Sequence, residues 1–363
     1  MKTTNEGVQA QAELTVYQET TTYPDWDLNE NNGEQFLTVL SNDFTRPFST
    51  SPLVSINVPI TGTYKWNGGV LAPNGKIYCI PNDATTALVI NTSNNTISIM
   101  GSFSTTTGKW AGGVLATNGK IYGVPRYAST ILEMDPISGL VVEFGSIPGD
   151  NKYIGAVLGP NGKIYCIPLA ATSVLVINPS NHSTYQIGSL GSGNKWIGGA
   201  LAPNGKIYCS PYDSTSILEI DPNNDTVSTF GTITGTNKYQ GATLAPNGNI
   251  YCVPYKAGKV LEIDPINRTA TKIGSTIGQY SRVTLGPNGK LYAIPYSNGS
   301  IIEINVSSKT HTLITSVAGL SSIVLAPNGK FYLIPSSGTI CYVMGQTQQI
   351  DENAVLSRYL NKF

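Results

Sequence analysis

The chain has 363 residues, 22 basic and 22 acidic side chains, and two histidines. That balance excludes the strong basic excess expected of a nucleic-acid binder, so nucleic acid is not an expected partner. No run is long and apolar enough to span a bilayer, so membrane insertion is not expected either. The N-terminus lacks the basic-then-apolar pattern of a secretory signal. The expectation is a protein made in the cytoplasm that stays there or is assembled into a virion or other particle.

Residues 1–50 are polar and acidic, with Lys2 and Arg46 against eight acidic residues. Such composition favours an extended arm over a packed unit. It is the candidate attachment site for a protein partner or for sister subunits. Next comes an apolar segment, residues 53–58, and then a phrase that recurs seven times. A Gly-rich stretch runs into Leu-(Ala/Gly)-(Pro/Thr)-Asn-Gly, followed by an apolar strand ending in proline. The Asn-Gly pairs begin at Asn74, Asn118, Asn161, Asn204, Asn247, Asn288 and Asn328, at spacings of 44, 43, 43, 43, 41 and 40 residues. Strand-rich repeats near 40 residues predict an all-β fold, a seven-bladed β-propeller with one blade per repeat. The propeller is expected over residues 51–345. Beyond it, residues 346–363 form a polar tail in which Val355, Leu356, Tyr359, Leu360 and Phe363 share one face of a short amphipathic helix capped by Asp351.

Within a repeat the elements follow from turn chemistry. In residues 195–234, strand A starts at Trp196 and ends at Pro203-Asn204-Gly205. Strand B runs back to Pro211, strand C covers Ile217–Ile220, and strand D follows an Asp221-Pro222 turn. Asn-Gly suits a tight hairpin because both residues tolerate positive φ. Strands such as Ile-Leu-Glu-Ile are nearly continuous apolar runs, as expected when neighbouring blades cover both faces of each sheet. Paired glycines before the turn (Gly68-Gly69, Gly112-Gly113, Gly198-Gly199) mark the innermost strand, where a missing Cβ lets backbones approach. The seventh repeat has no fourth strand of its own. Residues 53–58, at the offset D strands occupy elsewhere, are expected to supply it and close the ring. The Asn-Gly and Asp-Pro turns share one face; the more varied B–C and D–A loops share the other.

In Ala245-Pro246-Asn247-Gly248-Asn249-Ile250-Tyr251 followed by Val260-Leu261-Glu262-Ile263-Asp264, the repeat resembles the YVTN-type propeller repeat, over about 300 residues. It is similar to the wider group of propellers with kelch-type, NHL-type and lactonase-like members. That resemblance implies architecture and no particular activity, since the group includes enzymes, surface-layer proteins and interaction scaffolds.

Five repeats open strand A with Lys-aromatic: Lys65-Trp66, Lys109-Trp110, Lys152-Tyr153, Lys195-Trp196 and Lys238-Tyr239. Two outcomes are open. The pairs form a ring that attracts an anion and stacks on a sugar, an anionic glycan being one candidate ligand. Alternatively the aromatics pack between blades with the lysine stems lying over them. The B–C loops on the same face add Arg126, Tyr127, Tyr212, Tyr255, Lys256 and Tyr296. Arg282 stands where five other repeats place their first inner glycine, either gripping an anion or plugging the channel.

No residue set points to catalysis, a metal or a cofactor. Glu133, Glu219, Glu262 and Glu303 recur in strand C, away from the axis, and are expected to bridge blades. His182 and His311 lie towards the rim. Cys79, Cys166, Cys209 and Cys252 share a repeat position also filled by Gly, Ala and Leu, which marks small buried thiols. The expected function is a non-catalytic binding or structural propeller. It presents the Lys/aromatic face to a ligand or receptor, an acidic glycan or a protein, and joins a cell-surface coat or virion through its arm. The alternatives are a propeller enzyme of lyase or lactonase type and an intracellular kelch-like adaptor.

Overall fold

The computed structural model describes Thr50 and residues 53–345. The acidic arm up to residue 49 and the predicted C-terminal helix lie outside the described residues. Among the described residues, 28 strands form seven four-stranded antiparallel sheets, and no helix occurs. The sheets radiate from one axis, so the chain is a seven-bladed β-propeller.

Blade 1 shows the common plan. Strand A (Trp66–Leu71) pairs with B (Lys76–Pro81), B with C (Ala87–Asn91), and C with D (Ile97–Met100). Blades 2 to 6 repeat it over residues 110–144, 153–187, 196–230, 239–273 and 280–317. Strands A, B and C are buried along nearly their whole length, whereas D strands are open to solvent, as Val141–Phe144 is at its two middle residues. The continuous apolar runs are thus explained, because each sheet is covered on both faces by its neighbours.

Ring closure takes the predicted route. In the seventh sheet, Leu320–Leu325, Phe331–Pro335 and Ile340–Met344 are followed by Leu53–Asn57 as the outer strand. Its register runs from Leu53 opposite Met344 to Asn57 opposite Ile340. Val58 completes the seal: it is fully buried and its N–H donates to Thr339 O at 2.7 Å.

The hydrophobic core is divided into seams between blades. One seam joins Trp66, Leu71 and Ile77 of blade 1 to Val324, Tyr332 and Ile334 of blade 7. Others join blades 1 and 2, 2 and 3, 3 and 4, and 4 and 5. Blades 5, 6 and 7 share a single larger cluster. The repeated cysteines belong to these seams, and all five cysteines are buried and free.

At the axis the inner glycines touch. A Cβ on Gly68 would lie 3.0 Å from the Gly112 Cα, and one on Gly112 would lie 2.9 Å from the Gly155 Cα. Gly155 stands in the same relation to Gly198, and Gly198 to Gly241. All five have positive φ and sit where the A–B register shifts by a bulge. A bulge inserts one extra residue and bends the strand, here towards the channel.

Two substitutions separate close approach from backbone strain. Gly112→Ala, with φ +85 and main chain in the way, is expected to lose about 2–4 kcal/mol in denaturant unfolding. Gly139→Ala, with φ +74 in an open turn, should lose only about 1 kcal/mol.

Candidate functional site: the channel mouth

The loop face is organised by a belt of main-chain hydrogen bonds. In each blade the residue after the strand B proline donates its N–H to the carbonyl of the residue opening strand A. Arg126 N–H reaches Lys109 O, Leu169 reaches Lys152, Tyr212 reaches Lys195, Tyr255 reaches Lys238 and Tyr296 reaches Gln279, all at 2.7–3.0 Å. Its own carbonyl then accepts from the next blade, as Arg126 O does from Lys152 N and Tyr212 O from Lys238 N. Ser336 O accepts from Lys65 N, carrying the belt across the closure. These bonds set Asn82, Arg126, Leu169, Tyr212, Tyr255, Tyr296 and Ser336 in a circle around the mouth.

The circle has two chemically different sectors. Over blades 2 to 4, Ala111, Ile154 and Ile197 of the inner strands cluster with Leu169, and Tyr212 packs against them. Only at the axis do three consecutive inner strands bring side chains together. Tyr212, Tyr255 and Tyr296 continue this wall, with ring centroids 6.1 Å and then 4.6 Å apart. Over blades 5 to 1 the matching inner positions are Gln240, Ser281, Ser321 and Asn67.

Arg282 rises from blade 6 into this polar sector. Its Nη2 donates to Asn67 Oδ1 of blade 1 at 2.8 Å, a contact that crosses the channel past blade 7. Its guanidinium is held below its usual value, at about 10, first by burial and then by the positive charge of Arg126. Burial and then Tyr255 push the Tyr296 phenol up, with the charge of Arg126 a smaller opposing cause. Arg126 itself donates from Nε to Asn151 Oδ1 at 2.8 Å, and its guanidinium lies over the Tyr127 ring. Among the described residues neither arginine forms an ion pair. The nearby carboxylates turn away. Asp83 accepts from Gly108 N and Asp213 from Asn237 N, in the D–A loops of the following blades.

The Lys-aromatic pairs occupy a different place from a solvent-facing ring. Lys65, Lys109, Lys152, Lys195 and Lys238 are all buried. Lys65 Nζ donates to Ile60 O and Gly338 O, Lys109 to Thr106 O, Lys152 to Ala128 O and Gly149 O, Lys195 to Leu169 O and Gly193 O, and Lys238 to Gly235 O. Burial is the main cause that lowers all five ammonium groups. Trp66, Trp110 and Trp196 are buried too, each indole N–H donating to a B–C loop carbonyl: Thr86, Thr130 and Ser216. Tyr153 and Tyr239 fill the same position, fully enclosed. In this geometry the lysines tie down loops and the aromatics are packed between blades.

The strand C glutamates join blades. Glu133 is 2% exposed and lies 2.6 Å from each of Lys120 Nζ, Tyr122 Oη and the His182 Nε2 of blade 3. His182 stacks on Phe144 with centroids 4.3 Å apart. Arg268 bridges to Glu219, and Lys309 to Glu262, each from the following blade. Glu303 pairs within its own blade, with Lys290 and Tyr292. Among the described residues no group of three His, Cys, Asp or Glu is arranged to hold a metal.

A second latch, on the turn face, escaped the sequence reading. The Asn of each Asn-Gly turn donates to the Tyr hydroxyl four residues on, as Asn74 does to Tyr78 at 3.0 Å. In four blades it also donates to a proline carbonyl of the next blade: Pro136, Pro179, Pro222 and Pro265. The recurrence of Asn-Gly-x-x-Tyr was the available signal.

The fold and mouth now define a class: a seven-bladed propeller of short repeats with an arginine–tyrosine channel mouth. A family model described as "Repeat of unknown function (DUF6923)" matches residues 138–278. No curated protein sequence matches the chain. Among solved structures it is similar to virginiamycin B lyase from Staphylococcus aureus, with 15% identity, TM-score 0.69, and coverage of 81% of this chain and 99% of that one. A streptogramin B lyase structure gives 16% identity, TM-score 0.70, and coverage of 81% and 98%. A chain of the Mitotic Checkpoint Complex gives 11%, 0.65, and 84% and 94%. At these identities the likeness is one of fold.

The Glu133 hub makes stability depend on pH. Burial pushes its carboxyl up, but hydrogen bonds from Lys120, Tyr122 and His182 hold it below the usual range. A carboxyl depressed by folding stabilises above its unfolded pKa, about 4.3, and that contribution is lost as pH falls through the folded value. Glu133→Gln is therefore expected to cost about 1–2 kcal/mol at pH 7. The gap from wild type should close below about pH 4, read by thermal unfolding across pH.

Proposed function

We propose that the protein is a non-catalytic binding propeller that recognises an acidic ligand, a glycan or a protein, with the loop face around the channel mouth. The observation that carries this reading is two arginines of the channel and its mouth, Arg126 and Arg282, beside a row of tyrosine rings. Arg282 donates to Asn67, Arg126 donates to Asn151 and lies over Tyr127, and neither has a described carboxylate partner. Tyr212, Tyr255 and Tyr296 present ring faces and edges on the same face. Aromatic faces add contact area at low entropic cost, and Tyr and Arg are the side chains enriched at binding hot spots.

The chemistry of the lining supports binding over turnover. The mouth offers arginine, phenol, amide, hydroxyl and aliphatic groups. His182 belongs to a C–D turn and His311 to an outer strand, so neither imidazole shares the mouth with Arg282. General acid–base work needs a group within hydrogen-bond reach of the reacting atoms. The acidic residues 1–50 complete the proposal as the attachment to a larger assembly, a cell-surface coat or a virion.

An array of acidic and neutral glycans and peptides, probed with the full chain, tests the face. Tyr255→Ala with Tyr296→Ala is expected to weaken the best binder at least tenfold while leaving the melting temperature within a few degrees. Equal binding by this variant and wild type, or chemical conversion of the bound ligand, would overturn the proposal.

A further inference from the structure

The turn face follows a rule that two neighbouring blades break. Six of the seven Asn-Gly turns are followed by lysine: Lys76, Lys120, Lys163, Lys206, Lys290 and Lys330. In four of them a carboxylate answers. Lys120 pairs with Glu133, Lys163 with Asp225, Lys206 with Glu219 and Asp221, and Lys290 with Glu303. Blade 5 has Asn249 instead of lysine, and its amide donates to Glu262. Lys76 of blade 1 and Lys330 of blade 7 are the exceptions. Each is half-buried, and neither ammonium has a carboxylate partner among the described residues.

Both places that could supply the acid hold neutral residues. The strand C position facing the tyrosine of strand B is Glu133 in blade 2, but Val89 in blade 1 and Val343 in blade 7. The turn position of the following blade, from which Asp225 reaches Lys163, is Gly139 beyond blade 1 and Asn95 beyond blade 7. Blades 7 and 1 place no Asp or Glu on the turn face; Asp83 lies on the loop face. The two blades meet through Thr92. Its N–H and hydroxyl donate to Gly75 O, next to Lys76, and its carbonyl accepts from Asn328 and Tyr332, on either side of Lys330. The two lysines thus make one basic patch across the closure seam.

The chain itself enters beside this patch. Leu53 pairs with Met344, and Met344 with Phe331, the residue after Lys330. Two interstrand spacings of about 4.8 Å therefore separate the start of the closing strand from the strand end that carries Lys330. The segment leading into Leu53, residues 1–50, holds eight acidic side chains against Lys2 and Arg46. Asp43 stands ten residues ahead of Leu53, a length of chain that spans up to about 33 Å and so reaches both lysines. We infer that the acidic arm of residues 1–50 docks on the turn face of its own propeller, its carboxylates against Lys76 and Lys330. A short tether holds its charges at about millimolar effective concentration, an advantage that a free acidic partner lacks. The docking does not depend on what the loop face binds, and it puts the departure of the arm on the face opposite the mouth.

Zero-length carbodiimide coupling on the full chain joins a carboxylate to an ammonium it touches. An equal mixture of isotope-labelled and unlabelled protein tells one chain's arm from another's. The expected result is coupling of Lys76 and Lys330 to acidic residues of 1–50 in same-label pairs, at least tenfold above the exposed Lys272 on the rim. Raising the salt to about 0.5 M should cut the yield severalfold, since the Debye length then falls to about 4 Å. Lys76→Gln with Lys330→Gln should keep the melting temperature within a few degrees. The same variant should speed cleavage of the arm by a glutamate-specific protease at least fivefold. A majority of mixed-label pairs overturns the inference in favour of a sister subunit's arm. Coupling no higher than at Lys272, a yield indifferent to salt, or equal cleavage of the folded variant and wild type overturns it outright.

Discussion

Bare backbone against bare backbone at the axis is the contact on which this molecule depends. With no Cβ on Gly68, Gly112, Gly155, Gly198 and Gly241, the inner strands approach until one strand's Cα meets the next. Sheets that touch along their inner edges and splay outwards leave wedge-shaped gaps. Those gaps are what Trp66, Tyr122, Tyr208 and their equivalents fill, so that most of the hydrophobic core lies between blades. A wedge array has two free flanks unless it closes. The strand Leu53–Asn57 closes it, and Val58 is buried in the seam between the last blade and the first.

The same geometry explains the division of labour among polar groups. On the turn face, asparagine and tyrosine reach the proline carbonyls of the next blade. Further out, Glu133 collects lysine and tyrosine from its own blade and histidine from the next, and Asp225 of blade 4 takes Lys163, Tyr165 and Tyr185 from blade 3. On the loop face, buried lysines donate to loop carbonyls. Each of these devices holds neighbours together, and each repeats with the blades. The mouth side chains repeat only over blades 4 to 6, as Tyr212, Tyr255 and Tyr296. Their main chain is held by a regular belt while the residue type differs among the other blades. That separation lets a symmetric scaffold carry an asymmetric site.

Much of this was legible in the residues. The Asn-Gly spacing counted the blades, the paired glycines marked the inner strand, and the missing fourth strand of the last repeat pointed to residues 53–58. Arg282 stood out because it broke a glycine column. The Lys-aromatic pairs were harder. Lysine is usually solvated, and a charged residue opening a strand looks like surface until the loop carbonyls around Lys152 or Lys195 are in view. The apolar sector was hidden for another reason. Ala111, Ile154, Leu169 and Ile197 are ordinary core residues one at a time, and successive members sit 15 to 43 positions apart in sequence.

The sequence by itself determined the repeat, and with it the fold, because turn chemistry and strand patterning are local and recur at every blade. It also determined where the pattern breaks. Only the tertiary structure decided what those breaks mean. Whether a side chain meets solvent, a carbonyl or another cation depends on neighbours contributed by distant repeats. Arg282 meets Asn67 from 215 residues away, and Arg126 meets Asn151 in the loop leading to the next blade.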